Sequence, residues 1–275
     1  MFRYTPLTLA REAGILVVAL VMMLPFYLLI NVALKSDVEA VSTPAIVPAG
    51  APSLDSFAVA LTEGSLLAGL LGSVIVTVST VLLLIIIGSI TAYVIARRVG
   101  KLSSIAYVFV LVGIILPIQM GMVPLYVAMR SLGLLGTLAG MVVLNVGLSL
   151  PLAIFLYVGF ARSVPREYEE AAEVDGAGRL QTFVRIVFPL LAPATGTVAI
   201  LAGMNVWNDF QLALIYLSGS DATTLPLSIY SFVGADVTRW NVIFAGLIVA
   251  IIPMLVFYLF AQRRFIQGFA GGIKS

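Results

Sequence analysis

Six runs of apolar residues, each long enough to cross a bilayer, limit what this chain can fold into more than any other feature. They cover 13–34, 66–96, 104–129, 137–161, 190–216 and 241–261. A hydrocarbon core of about 30 Å takes roughly 20 residues of helix. Backbone groups surrounded by lipid must be satisfied within the spanning segment, which selects helices over open sheets. The rest of the composition agrees: 61% of the 275 residues are apolar, 10% are charged, and the mean hydropathy is +1.13. That is more apolar surface than one water-soluble core can hide. The expected fold class is all-α, a polytopic membrane protein with six transmembrane helices. The first run follows Arg3 and Arg11 as a signal peptide would. Its length of about 22 residues exceeds the roughly 7 to 15 of a typical cleaved segment, and no small-x-small site follows closely, so a retained span is expected.

Charge placement orients the spans. With the N-terminus inside, the inner segments hold Arg3, Arg11, Arg97, Arg98, Lys101, Arg162, Arg166, Arg179, Arg185, Arg263, Arg264 and Lys274, which is 12 of the 15 basic residues. Lys35, Arg130 and Arg239 fall outside. This bias predicts both termini in the cytoplasm of a multi-pass protein of the cell membrane. An odd number of spans would scatter the same residues over both faces.

Several chemistries are excluded. The chain has no cysteine and no histidine, which removes disulfides, thiolate nucleophiles, imidazole bases and Cys/His metal sites. No phosphate-binding loop exists either: Gly100-Lys101 is followed by Leu102, and Ile95 stands where the first glycine belongs. No metal site, catalytic residue or cofactor of its own is expected, and no nucleic-acid partner.

Two connections are long. The segment 36–65 carries Pro44, Pro48 and Pro52 with Asp37, Glu39, Asp55 and Glu63, and reads as an irregular, mildly acidic outer loop. The inner segment 162–189 is the most charged part of the chain. Within it Ser163 is a candidate N-cap and Pro165 suits a first turn. Glu167, Glu169 and Glu170 sit where a helix dipole favours acids, and Gly176 and Gly178 end the helix. Tyr168, Ala171, Ala172 and Asp175 share one face, small enough for close docking against another protein. Leu180, Phe183, Val184 and Val187 then give a second helical pattern.

Here a resemblance appears. Glu170-Ala171-Ala172, Gly176 and Ile186-Val187-Phe188-Pro189 are spaced as in the EAA loop of binding-protein-dependent ABC importer permeases, with Phe188 where the family usually has Leu. Further matches are Pro117-Ile-Gln119, Pro124-Leu-Tyr126, Leu132 to Thr137, Trp207-Asn-Asp-Phe210, Gln262-Arg-Arg-Phe265 and Ala270 to Lys274. Together they resemble the carbohydrate branch, the MalG-like half of maltose-type transporters, over roughly 65–275. The resemblance implies a type I importer permease fold for an ATP-driven sugar importer. Its parts would be a first helix and outer loop (1–65), a permease core (66–262) holding the EAA loop (162–189), and a cytoplasmic tail (263–275). It implies a homologous second permease, two ATPase subunits that bind the ATP and Mg, and an extracytoplasmic sugar-binding protein. Glu170, Ala171, Ala172 and Gly176 would make the ATPase-coupling contact. The tail from Gln267 to Ser275 would reach between the ATPases, and the outer loop 217–240, with Gly219, Asp221, Pro226, Gly234 and Asp236, would meet the binding protein. A secondary, ion-coupled transporter is the alternative; it needs several intramembrane charges and an internal repeat, whereas Asp209 alone is available.

Polar residues inside the spans form the second candidate site. Asn205 and Asp209, four apart, are expected on one helix face, with Asn208 and Gln211 nearby and Asn145, Ser149 and Gln119 in other spans. Two readings stay open. They line the sugar path as hydrogen-bonding groups, or they link helices within the bundle. Pro117, Pro124 and Pro151 are expected to bend their helices and settle packing.

Overall fold

The computed structural model describes residues 6–63, 65–98, 100–233 and 238–271, the side chains of 6–8, 257, 258 and 260–271 excepted. Arg3, Gly234, Asp236, residues 272–275 and the side chains of the tail therefore lie outside the described residues. The helices in chain order are α1 (Pro6–Ala33), α2 (Asp37–Ser42), α3 (Asp55–Thr62), α4 (Leu66–Arg97), α5 (Lys101–Ile115), α6 (Ile118–Ser131) and α7 (Leu138–Ser163). They continue with α8 (Glu167–Val174), α9 (Arg179–Leu190), α10 (Ala192–Trp207), α11 (Gln211–Tyr216), α12 (Leu225–Tyr230) and α13 (Trp240–Gly271). The pairing of Val233 with Thr238 is an isolated bridge.

Among the described residues, Leu9–Ala33, Leu66–Arg97 and Leu138–Ser163 are each long and apolar enough to cross a membrane alone, and Trp240–Val256 is a shorter apolar helix. Two further helix pairs, Lys101–Ile115 with Ile118–Ser131 and Arg179–Leu190 with Ala192–Trp207, are long and apolar enough only when taken together across a sharp bend. The third expected span is not one helix: Lys101–Ile115 and Ile118–Ser131 meet at 100°. Pro117 lacks an N–H and forces Leu116 into extended backbone at ψ 124°, which stops α5. Here proline breaks the helix, beyond the packing role expected for it. The fifth expected span also breaks. α10 ends at Trp207, Asn208 to Phe210 are irregular, and α11 restarts at Gln211. α9 meets α10 at 71°.

The chain divides into two compact units, one of residues 1–67 and 228–253, the other of 68–227 and 254–275. In the first, the segment 36–63 is more ordered than its prolines suggest. Ser36 Oγ accepts from Glu39 N and starts α2. Asn31 donates to the carbonyls of Ala45 and Val47, both at 2.7 Å, and accepts from Ala49 N. Lys35 is fully enclosed, its Nζ donating to Thr43 Oγ1 at 2.8 Å and to Pro44 O at 2.9 Å. Asn241 then donates to Lys35 O, Asp37 Oδ1 and Ser56 Oγ, and Arg239 pairs with Asp37 and Glu63. Proline supplies the turns and side-chain amides satisfy the carbonyls those turns leave free.

Among the described residues, the second unit holds two apolar clusters. One gathers Leu84, Tyr157, Val187, Leu191, Ala194 and Val198; the other Val76, Met141, Leu144, Val206, Leu212 and Tyr216. Small residues set the close approaches, as in helix packing within membranes. A Cβ on Gly72 would lie 2.0 Å from Thr223 O, and one on Gly113 would lie 3.0 Å from Pro151 Cγ. Next to Gly72, Ser73 Oγ accepts from the buried Leu225 N at 2.8 Å, so the start of α12 is pinned to α4.

Candidate functional site

The short helix α8 is held from one side. Arg97, the last residue of α4, places Nε 2.6 Å from Glu169 Oε1, and Tyr93 Oη donates to Glu169 Oε2 at 2.8 Å. Arg97 also donates through Nη2 to Val164 O at 2.9 Å, and Arg166 reaches back to Arg97 O at 3.3 Å. The Arg97 and Glu169 side chains are only 13% and 14% exposed. An ion pair removed from water repays its desolvation only when further hydrogen bonds satisfy both partners. Here both carboxylate oxygens and two guanidinium nitrogens are used. Around the pair, Phe183 packs at a tilt against Tyr93 at 5.1 Å and Phe188 at 6.0 Å. Arg162 lies 4.8 Å over the Tyr107 ring, joining the end of α7 to α5.

The helix starts and stops for identifiable reasons. Ser163 is not its cap: its hydroxyl donates to Phe160 O at 2.8 Å and belongs to the end of α7, while α8 begins after Arg166 without a side-chain cap. The stop is a Schellman turn. Gly176 adopts φ 81°, its N–H reaches Glu173 O, and Ala177 N reaches Ala172 O at 2.9 Å. Beyond it, α9 carries a wide turn over Phe183–Val187, a widening that often marks functional segments.

The four residues expected to make a coupling contact are placed differently from one another. Glu170, Ala171 and Gly176 are exposed. Ala172 is turned into the chain's own packing and is 5% exposed. One residue of rotation, about 100° of helix, separates the anchored Glu169 from the open Glu170. Val174, at 87% exposure, adds an apolar side chain to the open side. Sequence reasoning took Glu169 as one more dipole-favoured acid. Its anchoring role depends on Arg97, 72 residues away, and local spacing carries no sign of it.

The polar residues of the spans do not form one stripe. Because α10 ends at Trp207, Asp209 lies beyond the helix, and the i, i+4 face expected for Asn205 and Asp209 does not exist. Asp209 Oδ1 instead accepts from Leu212 N at 3.0 Å and starts α11. Asn145, buried and donating to Met141 O, lies alongside the Asp209 carboxylate. Gln119, Asn205, Asn208 and Gln211 are exposed, Asn208 bonding Met204 O and Gln211 reaching Met122 Sδ at 3.8 Å. Trp207 is buried, at 7% exposure.

Comparison with known proteins follows the same outline. Residues 84–270 match the family described as the binding-protein-dependent transport system inner membrane component. The chain is a member of that family. This permease is 37% identical, over 93% of its own length and 92% of the relative's, to the melibiose/raffinose/stachyose import permease protein MelC of Bacillus subtilis (strain 168). It is 33% identical to the probable starch degradation products transport system permease protein AmyC of Thermoanaerobacterium thermosulfurigenes, over 94% of both chains. It is 34% identical, over 73% of both chains, to the multiple sugar-binding transport system permease protein MsmG of Streptococcus mutans. Its fold superposes with TM-score 0.81, at 19% identity, on a crystal structure of a bacterial ABC transporter involved in the import of the acidic polysaccharide alginate, covering 96% of this chain and all of that one. The permease is thus a multi-pass membrane component with the importer permease fold, and the ion-coupled alternative receives no support.

Proposed function

We propose that this permease forms half of the translocation path of an ATP-driven importer of oligosaccharides. It pairs with a homologous permease, receives sugar from an extracytoplasmic binding protein, and is driven by two ATPase subunits that hold the ATP and Mg. Six membrane crossings with both termini in the cytoplasm put α8 on the ATPase side, in line with the placement of basic residues. The sugar class follows from relatives named for melibiose, raffinose, stachyose and starch products. One observation carries the coupling role: α8 is pinned on one side through Glu169 while Glu170, Ala171 and the 87% exposed Val174 stay open on the other. A short acidic helix with a small, partly apolar open side suits a groove in another protein, where small residues permit close approach and one charge sets register.

In such an assembly, ATPase closure moves α8, and the differential binding of ATP to the closed pair shifts the membrane helices toward the outward-facing state. This chain supplies no phosphate-binding loop to the reaction. The test uses its lack of cysteine: Ala171→Cys places the single thiol of this chain on α8. In the assembled complex that thiol should cross-link to a cysteine placed in the ATPase groove, and uptake of labelled raffinose or maltotriose into vesicles should cease when the ATPase is inactivated. Uptake that continues with a dead ATPase would overturn the proposal.

A further inference from the structure

The geometry points to Glu169 as the joint through which movement of α8 enters α4: we infer that the Tyr93–Glu169–Arg97 cluster, and not the loops flanking α8, delivers that movement to the membrane helix. The inference rests on the coupling role proposed for α8 and goes a step further, from where the motor binds to how its motion is received.

Covalent attachment alone leaves α8 loose. On one side it joins α7 through Val164, Pro165 and Arg166; on the other it joins α9 through Asp175 to Gly178, where Gly176 sits at φ 81°. Two short non-helical links let a helix of eight residues pivot, and a pivoting helix absorbs a push without passing it on. The pivot is stopped by noncovalent groups. Glu169 uses both carboxylate oxygens on α4, one on Arg97 Nε at 2.6 Å and one on Tyr93 Oη at 2.8 Å. Tyr93 and Arg97 are themselves four apart, one turn on the same face of α4. The same guanidinium holds Val164 O, which fixes the first link as well. Arg166, in that link, closes the arrangement by donating to Arg97 O.

The path continues inward. The Tyr93 ring packs at a tilt of 41° against Phe183 in the wide turn of α9, so α4, α8 and α9 meet at one ring. Farther along α4, Gly88 faces Ala153 and Tyr157 of α7, where an added Cβ would sit in ordinary van der Waals contact at 3.4 to 3.6 Å. Packed helices transmit strain, since close-packed interiors yield little. A push on α8 thus reaches the bundle through a hard contact at the end of α4.

Glu169 and Arg97 are positioning residues in this account; neither meets sugar or nucleotide. The complete complex, with its second permease, ATPase and binding protein in vesicles, is compared for wild type, Glu169→Gln, Tyr93→Phe and the exchange Glu169→Arg with Arg97→Glu. Three readings are taken: ATPase retained on purification, sugar-stimulated ATP hydrolysis, and sugar taken up per ATP hydrolysed. Glu169→Gln should keep the ATPase bound and hydrolysing while uptake per ATP falls by roughly ten-fold, a loss within the reach of one broken buried ion pair. Tyr93→Phe, which removes a single hydroxyl and leaves the ring in place, should give a smaller fall of the same kind, and the exchange should recover part of the ratio. An unchanged ratio in Glu169→Gln overturns the inference. So does loss of ATPase binding in step with uptake in both Glu169→Gln and Tyr93→Phe, because the cluster would then serve folding alone. Failure of the wild-type complex to retain an ATPase would instead overturn the coupling role itself.

Discussion

Asp209 and Leu212 are joined by a hydrogen bond of 3.0 Å, carboxylate oxygen to backbone N–H, across the first turn of α11. The carboxylate therefore serves a helix start, satisfying one of the amides such a start leaves free. Replacing Asp209 by Ala should lower stability by about 1 kcal/mol, the usual cost of a lost cap. Asp209→Asn keeps an accepting oxygen and should stay near wild type. Thermal unfolding of the purified complex in detergent reads the difference, and the KM for sugar should move in neither variant. A raised KM in Asp209→Asn would move the carboxylate from the cap to the solute.

Ala171 and Ala172 are neighbours with opposite exposure, which separates folding from docking. A Trp at Ala172 has to enter packing that leaves this residue 5% exposed, at a cost of roughly 1–3 kcal/mol. Ala172→Trp is expected to lower the yield of folded permease. Ala171→Trp meets open space on this chain and should leave yield and thermal stability intact while reducing ATPase retention. Equal yields for the two variants in a size-exclusion assay would contradict the placement of α8.

Gly72 and Gly147 make a matched pair. A methyl group on Gly72 would lie 2.0 Å from Thr223 O, while one on Gly147 meets nothing within 4 Å. Gly72→Ala should separate α4 from the segment that leads into α12, strain the buried bond from Leu225 N to Ser73 Oγ, and cut stability by several kcal/mol or abolish folding. Gly147→Ala sits inside α7, where alanine is the better helix former by up to about 1 kcal/mol, and should be neutral or slightly stabilising. The thermal midpoints of the two variants check the contrast.

The sequence signals differ in reach, and that explains what could be read from them. Apolar length is a local property, so 66–96 and 137–161 match Leu66–Arg97 and Leu138–Ser163 closely. The Gly176 stop was also visible, since only a residue tolerant of positive φ ends a helix that way. The break at Pro117 carried a signal, but a bend and a 100° turn read alike until the neighbours of the helix are known. The split of α10 from α11 hid inside an apolar run, and with it failed the face expected for Asn205 and Asp209. Glu169 was hidden for another reason. Its partners Tyr93 and Arg97 are 76 and 72 residues away, and only tertiary structure brings them together. The segment 36–65 looked irregular because its order comes from Asn31, Lys35, Arg239 and Asn241, all outside or at the edge of it.

Asn241 ties that segment to α13. Its amide is buried, and it is drawn to three acceptors: Lys35 O at 3.2 Å, Asp37 Oδ1 at 2.7 Å and Ser56 Oγ at 3.0 Å. Asn241→Leu keeps the branched shape of the side chain and removes its donors, leaving the Lys35 carbonyl with Ser56 Oγ alone and Asp37 Oδ1 without its amide, at a cost of about 1–3 kcal/mol. Arg239 holds Asp37 and Glu63 from a more exposed position, where an ion pair is worth about 1 kcal/mol or less, so Arg239→Gln should be milder. Limited proteolysis of sealed vesicles with the outer face accessible distinguishes the two. Asn241→Leu should open cleavage within 36–63 well before the rest of the chain is attacked, Arg239→Gln should do so weakly, and the wild type should resist. If both variants were as resistant as wild type, the loop would be held by its own turns, and the Asn31 and Lys35 bonds to 43–49 would be sufficient without α13.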